Sequence, residues 1–342
     1  MLRIFKWSVG VGVACAALQA ALPAAADDPP FVPWSALLPG FTTGYEPSSE
    51  NDCKAGRLHC VDAVIREMTR RFDELEVSCN HNTLFSLTYL RTTEEYRRAV
   101  VEPHFFTDPS FINHQDVVFA RYYFDAWDAY RAGQISSVSR AWQLAFSAAD
   151  QKRVNGTGNI LLGMSAHVNR DLPYVLAAIG LVKPDGSSRK PDHDKVNVFL
   201  NRVVEPLLDE CASRYDPLVD DTQIDGTQLD EATLLQMLVA WREQAWRNAE
   251  LLISAPTPAA RALVEAEIEQ TAAIEANLII VATSYTQLSV QQALAELAVL
   301  PADPLRVLQA VTDRNVNLLH GVLGTLFTPG AVIRDNYCAS HG

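Results

Sequence analysis

The residues best equipped for chemistry lie in one stretch, Gly163-Met164-Ser165-Ala166-His167-Val168-Asn169-Arg170-Asp171-Leu172-Pro173, where a histidine and an aspartate stand four apart in an otherwise apolar run. On a helix that spacing puts both side chains on one face, a turn apart. Burying either is costly unless it is paired, so the two must satisfy each other, the backbone or a bound species. Two kinds of chemistry fit. In the first, Asp171 orients His167 as a general base or metal ligand. In the second, His167, Asp171 and Arg170 form a structural hydrogen-bond network. Asn169 adds a further polar group, and Pro173 removes a helix hydrogen bond and frees the Asn169 carbonyl.

Other candidates sit on the segments around this motif. From Pro109 onward, Asp116, Phe119, Tyr123 and Trp127 share one helical stripe, while His114, Arg121, Asp125 and Asp128 share another. An acid on an aromatic stripe needs a partner in the core, which makes Asp116 a second candidate acid; the His114 stripe can face water. Asp194, Asn197 and Asn201 form a polar stripe farther on, and Arg242, Trp246 and Glu250 fall on one line, suited to a structural tether or to closing over a carboxylate ligand. A divalent metal would draw its ligands from His167, Asp171, Asp116 and His114, since one His-x-x-x-Asp pair lacks the three or more ligands a site needs. There is no GxSxG elbow, HExxH pair or phosphate-binding glycine loop.

The elements that must position these groups read as helices almost throughout. Val61, Val64, Ile65, Met68, Phe72 and Leu75 recur at three and four. Asp108 followed by Pro109 is a helix start. Further helices fit residues 109–133, 138–150, 159–182, 192–215, 230–254, 258–283, 290–300 and 304–326. Sustained strand alternation is absent. The polar segments 183–191 and 215–230 read as loops, the second a solvated acidic one. The fold class is therefore all-α: one large multi-helix domain over residues 59–342, preceded by an extended, Pro- and Gly-rich arm over 27–58.

Residues 1–26 carry Arg3 and Lys6, an apolar run and small residues before Asp27, the pattern of a signal peptide. The run falls short of the roughly 20 apolar residues that span a bilayer, so the mature chain is expected to be exported, periplasmic or extracellular, without an integral membrane segment. Cys53, Cys60, Cys79, Cys211 and Cys338 then remain, an odd number that leaves at least one unpaired. Cys53 and Cys60 can close a small loop, and Cys338 can tie the C-terminal tail to the body. A formal charge of −13 argues against a nucleic-acid partner.

The chain resembles an uncharacterised, mainly bacterial family, a domain of unknown function. The resemblance rests on Phe106-Thr107-Asp108-Pro109-Ser110-Phe111 running into Asp116-Val117-Val118-Phe119-Ala120-Arg121-Tyr122-Tyr123, on the motif Gly163 to Pro173, and more loosely on Asp194-Lys195-Val196-Asn197. It implies a compact helical domain and no established activity. Ser165 stands where the family pattern leads us to expect Asn, and His114-Gln115 where a less polar pair is usual. The leading expectation is a hydrolase-like enzyme whose helices bearing Asp116, His167 and Asp194 meet at one polar pocket. In it His167, Asp171 and Asp116 act as base or ligand, orienter and second acid, and Asn169, Arg121, Tyr123, Asp194, Asn197, Arg242 and Trp246 bind a small molecule. The alternative is a non-catalytic protein for an apolar or lipid-like ligand, with the motif structural.

Overall fold

Apolar residues at helical spacing set the architecture. The structure, a computed structural model, describes residues 55–220, 229–285 and 330–342. Its elements are α1 (Leu58–Glu76), α2 (Thr83–Ala99), α3 (Pro109–Arg131), α4 (Arg140–Asp150), α5 (Gly156–Ser165), a π-helical turn (Ala166–Asp171), α6 (Leu172–Ile179), α7 (Lys190–Arg214), α8 (Leu229–Ser254), α9 (Pro258–Thr283) and α10 (Gly330–His341). Among the described residues there is no β-strand, and only two isolated bridges, so the all-α expectation holds. No helix among them is long and apolar enough to cross a membrane. The expected signal sequence, nearly all of the expected arm, half of the acidic loop and the helices expected at 290–300 and 304–326 lie outside the described residues.

Local signals fix the helix starts. The Asp108 carboxylate accepts from Phe111 N at 3.1 Å with Pro109 in the first turn, as its sequence predicts. Asn155 caps α5 through Gly158 N, and Thr257 caps α9 through Ala260 N. The helix expected from Asp192 begins two residues earlier, because Asp192 is buried and turned to the start of α3, accepting from Thr107 N, Thr107 Oγ1 and Asp108 N at 2.7–2.8 Å. That carboxylate joins two helix N-termini and favours both dipoles.

The core is organised around α2, for which the sequence pattern offers no amphipathic signal. Thr83, Leu84, Phe85, Ser86, Leu87, Thr88, Tyr89 and Leu90 are all buried. A helix surrounded on every side has no polar stripe. Its threonines fit because each hydroxyl donates back along the helix: Thr88 to Leu84 O, Thr92 to Thr88 O, and Thr93 to Tyr89 O, at 2.8–2.9 Å. α2 packs on α1, α5 and α7, and Gly163 allows the approach to α5: a Cβ there would stand 2.2 Å from the Phe85 ring.

The expected continuous helix 159–182 is instead α5, a π-helical turn and α6 in series. Leu172 N–H donates to His167 O, five residues back, where an α-helix would reach four. Such turns are rare and concentrate at functional sites. Pro173, which lacks an N–H, follows directly and removes one donor from the ladder.

α10 closes the far side, and the sequence reading had no helix there. Arg334, buried, donates to Asn159 Oδ1 at 2.6 Å and to His81 Nδ1 at 3.2 Å, while His81 Nε2–H donates to Asp335 at 2.9 Å. Burial and the Arg334 charge push the His81 pKa down to about 3. A disulfide joins Cys79 to Cys338, fixing the expected tie of the tail; Cys60 is also disulfide-bonded, and Cys211 is free and buried. Because the bridge closes a sequence separation of 259, Cys338→Ser should lower stability by about 2–5 kcal/mol. Urea denaturation with and without reductant measures this: wild type should lose stability on reduction, and the variant should be insensitive to it as far as this bridge is concerned.

Candidate functional site

Asp171 is the centre of the polar motif, and its two oxygens are both occupied. Oδ2 accepts from Trp142 Nε1 at 2.8 Å and from His167 Nδ1–H at 3.1 Å, and Oδ1 accepts from Arg170 Nη1 at 3.0 Å. The residue is fully buried, with Trp142 almost equally so. Asp171 therefore fixes the tautomer of His167 and leaves Nε2 as a lone-pair acceptor. The imidazole lies flat on Phe119, ring centroids 3.5 Å apart at 7°, and edge-on to Tyr89 at 4.5 Å. Desolvation pulls its pKa down, partly opposed by Asp171, so at neutral pH the ring is uncharged.

His167 Nε2 has no hydrogen-bond partner although it is sealed from solvent. It belongs to the wall of a cavity of about 120 Å³ formed by α2, α3, the π-helical turn with the end of α5, α7 and α8. Asp116 and Gln115 face the same cavity, and Asp116 Oδ2 and Gln115 Oε1 likewise lack partners. Buried polar atoms of this kind are uncommon, and three on one cavity make it the candidate site. With no charge nearby to stabilise its carboxylate, burial alone raises the Asp116 pKa to about 8, so Asp116 is mostly protonated at neutral pH.

The fourth polar group on the wall is Arg242 of α8. Its Nε donates to Asn197 Oδ1 at 2.8 Å and Nη2 donates to the His193 carbonyl at 2.6 Å. The His193 ring turns its Nε2–H back to the Arg242 carbonyl at 3.1 Å. Burial lowers the Arg242 pKa to about 10. The rest of the wall is largely apolar, including Phe85, Ile112, Met164, Phe199 and Leu238, together with the threonines and tyrosines of α2.

The expected residues thus divide. Asp116, His167 and Arg242 share the cavity; Asp171 stands behind His167 and Asn197 steadies Arg242. Tyr123 is core, 6.4 Å from the His167 ring centroid and outside the cavity wall. The remaining placements correct the sequence reading. Asp194 is exposed and pairs with Lys190, because α7 turns Val196, Phe199 and Leu200, not its polar stripe, to the cavity. Arg121 makes a surface ion pair with Asp125, and His114 is half-buried off the cavity wall. Trp246 is buried beside His193 and donates to Glu250 at 2.7 Å, a tether and not a lid. Asn169 faces the other way, donating to Glu275 of α9, and Arg170 donates to Glu269 at 2.7 Å. These two contacts lock α9 onto the motif. Among the described residues no group of three or more His, Cys, Asp or Glu is placed to hold a metal ion. The oxygens of Asp171 are spent on Trp142, His167 and Arg170.

Gln115, Tyr89, Trp142, Glu269 and Glu275 escaped the sequence reading. Only Gln115 carried a signal, as a polar residue beside Asp116 on the aromatic side of α3.

The chain belongs to a family of unknown function (DUF5995), whose model matches residues 61–282. No curated protein and no solved structure matches it. The match spans α1 to nearly the end of α9 and so contains every residue of the cavity wall.

Two outcomes follow from the geometry. Asp171→Asn leaves a buried donor without its acceptor and should cost about 1–3 kcal/mol in urea denaturation. Asp116 acts on stability in the opposite sense. Its folded pKa is raised to about 8, against about 4 unfolded; the folded state therefore holds the proton longer, and stability falls as pH rises from about 4 through about 8. Asp116→Asn removes that loss, so the variant should melt higher than wild type at pH 8 and differ little at pH 4, as thermal melts across this range will show.

Proposed function

We propose that the cavity is a hydrolytic site in which His167 is the general base and protonated Asp116 the general acid. The observation that carries this reading is His167 Nε2: buried, unpartnered, oriented from behind by Asp171 and on the same wall as Asp116. A neutral imidazole can take a proton from water as the water oxygen bonds to an acyl carbon. Asp116 then supplies a proton to the departing oxygen or nitrogen as the bond to carbon breaks. The proton on His167 returns to Asp116 through solvent, and both groups are reset. The imidazolium formed on the way is stabilised by the Asp171 carboxylate and by the Phe119 face beneath it.

A second reading is a binding protein for an apolar ligand, favoured by the aromatic and aliphatic wall. The size of the cavity limits that ligand: about 120 Å³ suits a benzene-sized body and not a long acyl chain. Three buried polar atoms left open to it are a poor fit to a purely apolar guest.

The test uses a panel of p-nitrophenyl esters of short aliphatic and aromatic acids. Wild type should turn at least one over with a bell-shaped pH profile. Its acid limb lies below the ordinary histidine range, because burial lowers the His167 pKa, and its alkaline limb lies near pH 8, where Asp116 loses its proton. His167→Gln should reduce kcat/KM by about 10²–10⁴-fold with the circular-dichroism melt retained. No turnover by wild type, or turnover untouched by His167→Gln, would leave the binding reading in place.

A further inference from the structure

We infer that the cavity takes a small monoanionic ligand, a carboxylate with a compact apolar body, anchored by the Arg242 guanidinium. The inference rests on the cavity being the ligand site proposed above; it does not depend on the proton transfers.

The argument begins with the charge of Arg242. The residue is 5% exposed, and a guanidinium in such a place is ordinarily met by a carboxylate, because desolvating an unpaired cation is costly. Here no carboxylate among the described residues lies within ion-pair distance. The acceptors it does have are neutral: Asn197 Oδ1, the His193 carbonyl, and His193 Nδ1 at 3.4 Å. The acid that acts on it, Asp194, is itself tied to Lys190, which also holds Glu243. Arg242 therefore contributes one positive charge that no carboxylate among the described residues meets in an ion pair.

The cavity wall adds the second half. Its two other ionisable side chains near the motif, Asp116 and His167, are uncharged at neutral pH because burial disfavours both ionised forms. The cavity wall thus carries a net charge near +1, with the Arg242 guanidinium on it, a protonated carboxyl able to donate, and imidazole and amide oxygen able to accept. A carboxylate accepts from a guanidinium in good geometry. One cation matches one negative charge, so a carboxylate fits better than a phosphate dianion. Phe85, Ile112, Phe199 and Leu238 then set the body as apolar, and about 120 Å³ sets its size near one ring.

Benzoate is the direct probe, with benzyl alcohol as a neutral analogue of the same size and phenyl phosphate as a dianion. Methionine-methyl NMR of the full chain reports the location: Met164 lines the cavity, whereas Met68 is buried in α1 away from it. Benzoate should bind saturably, shift Met164 and not Met68, and bind at least tenfold tighter than either analogue. Arg242→Lys should weaken benzoate tenfold or more while leaving benzyl alcohol unchanged. No saturable benzoate binding, a shift confined to other methionines, or equal or tighter binding of either analogue would overturn the inference. Because this comparison is made on the wild-type protein, it stands even if an Arg242 variant fails to fold. Benzoate binding without ester turnover would sink the catalytic reading alone; ester turnover dependent on His167 without benzoate binding would sink the anion site alone.

Discussion

The buried carboxylate of Asp171 is the constraint on which the rest depends. An ion in a dry core is tolerable only when its lone pairs are met, and here an indole, an imidazole and a guanidinium meet them from three directions. Each donor belongs to a different structural commitment. Trp142 brings α4 in, Arg170 continues to Glu269 and binds α9, and His167 is turned to the cavity. The π-helical turn follows from the same demand. Widening the helix by one residue lets one short segment send His167 toward α3 and Asn169 toward α9. The same sequence in an unbroken α-helix would direct those side chains differently.

Satisfying Asp171 so thoroughly is what leaves the opposite nitrogen of His167 unsatisfied. Once Nδ1–H is donated, the other edge of the ring can only accept, and nothing among the described residues donates to it. The same holds on α3, where Asp116 and Gln115 stand on a wall built largely of rings, aliphatic chains and the threonines of α2. Such groups cost stability in the empty protein, a pattern that active and binding sites commonly maintain. The fold compensates by burying large side chains elsewhere in the core, Trp142, Met68, Leu84 and Leu172 among them.

How much of this could be read in the sequence depends on whether the cause was local. Asp108 before Pro109 announced its helix because capping involves neighbours only, and Asp116 with Phe119 announced a mixed face because period alone puts them together. The motif announced the His167 to Asp171 bond by its spacing. α2 gave no such sign, since a helix buried all round has no contrast between faces. Glu269 and Glu275 carried no local sign of their role because their partners lie about a hundred residues earlier in the chain. Asp194 misled for a related reason: a polar stripe shows which face is polar, not which face a neighbouring helix will cover. The π-helical turn has no sequence code, being a response to packing on several sides.

The attachment of α10 has a consequence for the order in which the protein can be built. Arg334 completes a polar cluster with Asn159 and His81, and Cys338 is joined to Cys79 at the end of the α1 region. During synthesis the ribosome delivers α1 to α9 before α10, and the surface that receives Arg334 lacks that side chain until α10 emerges. Contacts of such sequence separation form late in folding. α10 therefore completes this polar cluster, and a nascent chain cut short before it would hold His81 and Asn159 without Arg334 and Asp335.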